Sequence, residues 1–145
     1  GAYAEFTYTN TFGEWSSKAA GGSSGKECLQ INVKDNSAFG SFVQIPAVDG
    51  TIEKIEVTIR EPYKGRAIGI FPVGYTYTKD TLDKMKEQLA KDAIAISNET
   101  PSDVNNNEPF TFVIDNLSAK NLTQFSIFPT LGAVSITAIT VTYSK

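Results

Sequence analysis

The chain has 145 residues, no histidine, one cysteine and a net charge of −3, with 41% hydrophobic and 20% charged residues. That is one domain's worth of ordinary globular chain, read here as a single domain over residues 1–145, long enough to bury a core without metal or disulfide staples. Without histidine there is no Ser–His–Asp or Cys–His catalysis and almost no zinc site; 13 scattered Lys and Arg leave no footprint for nucleic acid or anionic membrane.

Taken in chain order, the first expected strand is "EFTYT" (5–9). It leads to "NTFGEWSSKAAGGSSGKE" (10–27), which holds the sole tryptophan, Trp15, beside small polar residues and glycines. That run reads as a loop, and its Gly-Lys-Glu end lacks the spacing and the Ser or Thr of a phosphate-binding loop. "ECLQINV" (27–33) reads as a strand that buries Cys28 as a small hydrophobe, since a reactive thiol needs cationic neighbours and exposure. Asp35-Asn36-Ser37 then reads as a hairpin turn into a strand "FGSFVQIP" (39–46).

The plainest signal is alternation. In "TIEKIEVTIR", Ile55, Val57 and Ile59 point one way and Lys54, Glu56, Thr58 and Arg60 the other. "SITAITVTYS" repeats the device with Ile139, Val141 and Tyr143 inward. Both carry Ile-x-x-Ile-x-Val-Thr (Ile52 to Thr58, Ile136 to Thr142), and the spacing of the first two isoleucines predicts a bulge or the start of a strand in each. Further strands are expected at "RAIGIFPV" (66–73), "PFTFVID" (109–115) and "NLTQFSIF" (121–128), bounded by Pro, Asp-Gly and Asn-rich turn chemistry. One segment departs from this. In "KDTLDKMKEQLAKDA", Leu82, Met85, Leu89 and Ala93 recur at helical spacing, with Asp80 and Asp83 at the start where a cap and the helix dipole favour them. A helix over 80–93 is expected to bury Met85 and Leu89 against a sheet edge or barrel mouth, and a long polar loop, "ISNETPSDVNNNE", follows. The fold class expected is all-β: a two-sheet antiparallel sandwich, or jelly roll, of about eight strands with one inserted amphipathic helix.

The segments "FVQIPAVDGTIEKIEVTI", "AIGIF", "FTFVID", "FSIFP" and "ITAITVTYS" resemble the galactose-binding-like jelly-roll domains of secreted and cell-surface proteins of gut bacteria. The resemblance spans roughly residues 39–143. It implies a non-catalytic accessory or glycan-binding module, often beside enzymes or in lipoproteins, and so an extracytoplasmic location. No ligand set carries across, because no binding motif is shared residue by residue, and the helix is not part of the common core of that fold. The chain begins at Gly1 rather than Met, which is compatible with a removed secretory or lipoprotein leader, and no apolar run is long enough for a transmembrane helix.

Aromatic rings are the best functional candidates. A sugar presents C–H faces that a Trp or Tyr ring can cover with little side-chain entropy lost. Trp15, Tyr63, Tyr75 and Tyr77 lie outside the clear strand cores, and in "REPYKGR" Glu61, Lys64 and Arg66 stand around Tyr63 to bond hydroxyls. Each ring would equally well cap the end of a β core. Asp103, Asn105 and Asn107 have the alternate spacing of a calcium loop, but Glu108 replaces the glycine and Ile114 the bidentate glutamate of an EF-hand. A looser structural calcium site or an Asn-rich turn both fit; no other cofactor is implied. Two carboxylates suffice for glycoside hydrolysis. With 16 Asp and Glu, chance pairs are inevitable, and Glu53 and Glu56 read as part of a salt-bridged outer face. The expected function is therefore a non-catalytic module that binds a glycan through loop-end aromatics. Its rival is a structural or adhesion domain that contacts neighbouring domains or a protein partner.

Overall fold

The computed structural model describes residues 2–21 and 27–145. Period-two alternation becomes an antiparallel pair of long strands, β5 (Thr51–Arg60) and β10 (Val134–Ser144), which form the broadest contact in the molecule. Their register slips once at Thr137 and back again at Glu53. These are the second residues of the two Ile-x-x-Ile-x-Val-Thr segments, so both odd spacings are bulges. Each bulge inserts one residue and so returns Ile52 and Ile136 to the same face as Ile55 and Ile139. The Leu117 N–H closes on the Glu53 carbonyl at 3.0 Å.

Around this pair the chain builds a mostly β, nearly closed antiparallel sheet, with ten strands among the described residues. The remaining strands are β1 (Ala4–Asn10), β2 (Gly13–Gly21), β3 (Leu29–Ile31), β4 (Phe42–Gln44), β6 (Ile68–Phe71), β7 (Ala95–Ile96), β8 (Phe110–Ile114) and β9 (Ser126–Pro129). The order across the sheet is β7-β6-β9-β4-β2-β3-β10-β5-β8, with β1 paired to β2 alone. Inward residues of β5, β8 and β10 meet those of β4, β6 and β9 in one apolar cluster that includes Ile55, Val57, Phe112, Val43, Ile70 and Ile127.

Three expectations are corrected here. The run of small residues after Trp15 is not all loop: residues 13–21 form β2, a central strand paired to β1, β4 and β3, while residues 22–26 lie outside the described residues. Its inward positions after Trp15 are Ser17 and Ala19, both buried but too weakly apolar to show as alternation. The turn at 35–37 exists, with the Ala38 N–H on Asn36 Oδ1 at 2.9 Å, but it does not close a hairpin. It carries the chain from β3, on one side of β2, to β4 on the other. The third correction concerns strand number and length: β7 adds a two-residue strand at the start of the loop expected over 96–108, and "NLTQFSIF" contributes only its last three residues to β9.

The helix, α1, runs from Leu82 to Asp92 and buries Met85 and Leu89 as expected. Its cap is Thr81 rather than an aspartate: the Thr81 hydroxyl accepts from the Lys84 N–H, and Asp80 accepts from the Thr81 N–H. It packs on the outer face of β6 and β9. Alternate residues of those strands therefore serve two clusters, Ile68, Ile70 and Ile127 inside, Phe71 and Phe128 under the helix. Gly69 leaves room for this, because a Cβ there would press on Phe71, Thr130 and Ala93. Among the described residues no helix is long and apolar enough to cross a membrane.

Candidate functional site

The expected ligand-binding residues fall in three places, and the calcium candidates in a fourth. Trp15 stands on β2 directly opposite Tyr8 on β1. Cross-strand neighbours of an antiparallel pair are close enough for rings to touch, and here the two rings stack at 5.6 Å between centroids with planes 6° apart. Phe6, two residues earlier on the same face of β1, continues the stack at 6.0 Å. The tight turn of the hairpin locks the arrangement: Asn10 Oδ1 accepts from the Phe12 N–H at 2.9 Å and from Trp15 Nε1 at 3.0 Å. Phe6 and Tyr8 are 36% and 37% exposed, so the ladder is only partly covered, and Phe12 at the hairpin tip is 78% exposed. Burial on one side raises the Tyr8 phenol pKa.

Tyr8 and Trp15 form one wall of an open groove of about 480 Å³. Leu29 and Cys28, at the start of β3, and Ile136 to Ile139 of β10 form the opposite wall. The Thr137 bulge lies within that wall, and bulges often re-aim side chains at sites. Cys28 is half-buried and lines the groove, which corrects the expectation of a buried core thiol. Trp15 also packs against the main core, so it serves as anchor and wall at once.

Tyr63 and Arg66 come together at a second pocket of about 550 Å³, with Lys64, Ser102 and Asn106. Tyr63 is 52% exposed and the Arg66 guanidinium lies 5.9 Å from its ring centroid. The clamp behind them is Thr100, buried. Its hydroxyl donates to the Tyr63 carbonyl and accepts from the Arg66 N–H, and its N–H donates to the Arg66 carbonyl at 2.8 Å.

Tyr75 and Tyr77 belong to neither pocket. They share one side of an extended segment, as expected, but that side packs under the helix: both rings meet Phe128 edge-on, at 5.3 and 6.1 Å. The Tyr75 hydroxyl donates to Asp92 at 2.8 Å, and burial followed by that carboxylate pushes its pKa well above the ordinary phenol value. The Tyr77 oxygen accepts from the Gly40 N–H at 3.3 Å.

In the calcium candidate, Asn105 Oδ1 accepts from the Asn107 N–H at 2.9 Å, and the residues that line the Tyr63 pocket are instead Ser102 and the intervening Val104 and Asn106. Among the described residues no three His, Cys, Asp or Glu side chains group as metal ligands. Glu56 pairs with Lys54 at 3.6 Å, as an outer salt-bridged face requires.

The sequence singles out Trp15, Tyr63 and Arg66 but not Phe6 and Tyr8: their alternation in "EFTYT" is a local pattern, whereas their partner across the hairpin is not. No family model, curated protein or solved structure matches the chain.

Proposed function

We propose that this is a non-catalytic, extracytoplasmic carbohydrate-binding module in which a glycan docks along the groove between the Phe6–Tyr8–Trp15 ladder and β10. The fold underlying this reading is a two-sheet jelly roll, with β2 passing from one sheet to the other. The resemblance of residues 39–143 to galactose-binding-like domains points the same way. One observation carries the proposal: an ordered, part-exposed aromatic ladder beside an open groove, held in place by Asn10. Rings fixed in advance lose little entropy when a sugar covers them.

The test uses Trp15 as its own reporter, since it is the sole tryptophan. A glycan array selects ligands, and each is titrated against Trp15 emission in the native protein and in Tyr8→Ala and Phe6→Ala. Saturable change that weakens in both variants, while they keep their melting temperature within a few degrees, supports the reading. A broad array with no response sinks it.

A second reading, a domain that binds a protein partner, has one specific observation behind it. All seven residues of β1 are exposed, and β1 pairs only with β2. Beyond Ile136, β10 pairs only with β5. Among the described residues both strands thus offer unpaired backbone edges beside the groove, where an added strand from a partner would find hydrogen bonds. Trp15 emission that responds to extended peptides of alternating apolar pattern, and to no glycan, would favour it.

A further inference from the structure

We infer that the Tyr63–Arg66 pocket is a separate binding site for a carboxylate-bearing sugar, such as a uronic acid. This inference stands on its own pocket and does not need the Trp15 groove to bind anything.

The protein carries 16 acidic residues against 13 basic ones, yet no carboxylate lines this pocket. Its charged lining is Lys64 and Arg66 alone, and its remaining polar groups are the Ser102 hydroxyl, the Asn106 amide and the Tyr63 phenol. Neither cation is within ion-pair distance of an acidic side chain among the described residues. An arginine without an ion-pair partner in a concave site suits a carboxylate, with which it makes charge-assisted hydrogen bonds.

The ring beside it selects for more than a bare anion. Tyr63 is half exposed and fixed relative to Arg66, because Thr100 ties down both backbones and Gly65 between them, whose N–H reaches the Thr100 carbonyl at 3.2 Å. Gly65 takes a left-handed φ of 67°, which brings Lys64 round to the same pocket. Behind Arg66, Gly132 has a φ of 139°, and a Cβ there would overlap the guanidinium; the bare backbone leaves space for it. A pyranose could lie on the Tyr63 face with its carboxylate toward Arg66 and Lys64 and its hydroxyls toward Ser102 and Asn106. Neutral sugars lack the group that the two cations would hold, and inorganic phosphate lacks the ring that Tyr63 would cover.

The experiment is a titration of the isotopically labelled protein with glucuronate, glucose and inorganic phosphate, followed by amide chemical shifts. Glucuronate is expected to move the amides of Tyr63, Lys64, Arg66 and Asn106 with a dissociation constant in the millimolar range, as is ordinary for a monosaccharide-sized ligand with few contacts. Glucose should bind at least about tenfold more weakly, because a hydrogen bond to a charged group is worth that much or more. Arg66→Met should weaken glucuronate about ten- to a hundredfold. Lys64→Gln, at an exposed position, should weaken it several-fold without altering stability, which keeps the test valid if Arg66→Met unfolds the loop. Added salt should weaken binding in the native protein. Equal response to glucose and glucuronate, or glucuronate binding unchanged in Lys64→Gln and in folded Arg66→Met, overturns the inference. So does phosphate that binds as well as glucuronate, since the ring would then contribute nothing.

Discussion

Removing the Trp15 ring tests whether the Phe6–Tyr8–Trp15 ladder is built into the fold or merely rests on it. Truncating a fully buried Trp to Ala costs about 3–5 kcal/mol, and Trp15 is half-buried against the core, so about 2 kcal/mol is expected from lost burial. The stack with Tyr8 adds about 0.5–1.5 kcal/mol, and the exposed Nε1–Asn10 hydrogen bond at most about 1 kcal/mol. The expected loss is about 3 kcal/mol. At about 2.1 cal/mol/K per residue, a chain of 145 residues has an unfolding entropy of about 0.3 kcal/mol/K, so Trp15→Ala should lower the Tm by about 10 °C. Trp15→Phe keeps a ring on Tyr8 and should lower it by only about 3 °C. Circular dichroism is the right probe, because the mutation removes the only tryptophan fluorophore. The decisive quantity is the coupling in a cycle of Trp15→Ala, Tyr8→Ala and the double variant, expected at about 0.5–1.5 kcal/mol. Additivity within about 0.3 kcal/mol, or a Tm change under about 3 °C for Trp15→Ala, would refute this reasoning and leave the hairpin as a loosely attached flap.

Leu89→Ala should cost about 2–5 kcal/mol in thermal unfolding, since Leu89 is fully buried between the helix and the Phe71–Phe128 face; a loss under about 1 kcal/mol would mean that the helix is not integral to the fold. Gly132→Ala should destabilise by about 1–3 kcal/mol through its φ of 139° and displace Arg66, so that any glucuronate binding falls with it. Stability should fall as the pH rises above about 10. The Tyr75 phenol has its pKa raised in the folded protein by burial and Asp92, so the folded state holds a proton that the unfolded state has released. Tyr77 acts in the same direction, and Tyr75→Phe should flatten the alkaline decline; an unchanged slope would contradict the assigned environment. Asp103→Ala should leave the Tm unchanged within about 1 °C, with calcium or with chelator, if the Asn105–Asn107 contact is a self-contained Asx turn; a calcium-dependent rise in the native protein that the variant loses would place an ion there.

What could be read in advance follows from where the information sits along the chain. Ile55, Val57 and Ile59 state a strand in five consecutive residues, and the spacing of Ile52 and Ile55 marks a break in it, a bulge or a strand start, because both are local patterns; pairing with β10 makes it a bulge. β2 is just as regular, but after Trp15 its buried face is Ser17 and Ala19, small residues that are also found in loops. No periodicity separates them from Ser16 and Lys18. The sites divide in the same manner. Tyr63 and Arg66 are three residues apart and were legible as a pair, whereas Thr100, which holds both, is 34 residues beyond Arg66 and looks like any other Thr in a polar loop. The calcium spacing at Asp103, Asn105 and Asn107 was correct as sequence, but alternate spacing converges on one ion only if the loop curls around it. Here the chain turns locally on Asn105 and presents the intervening residues to a pocket.

The placement of the one tryptophan has a physical reason. β2 must pair with β1 and β4 and then reach β3, so it runs from one arm of the sheet toward the other. Small residues along its later half let it pass close to its neighbours, but they fill little volume. A single large ring near its start compensates by packing against the core, as the partly buried Ile139 and Val141 do from β10 past its bulge. One face of that ring is needed for packing, while the Tyr8 side remains at the groove because nothing among the described residues pairs with the outer edge of β1. Core anchor and groove wall are thus two consequences of one geometry. The same geometry explains why Trp15→Phe should preserve the fold better than it preserves any recognition that depends on the indole.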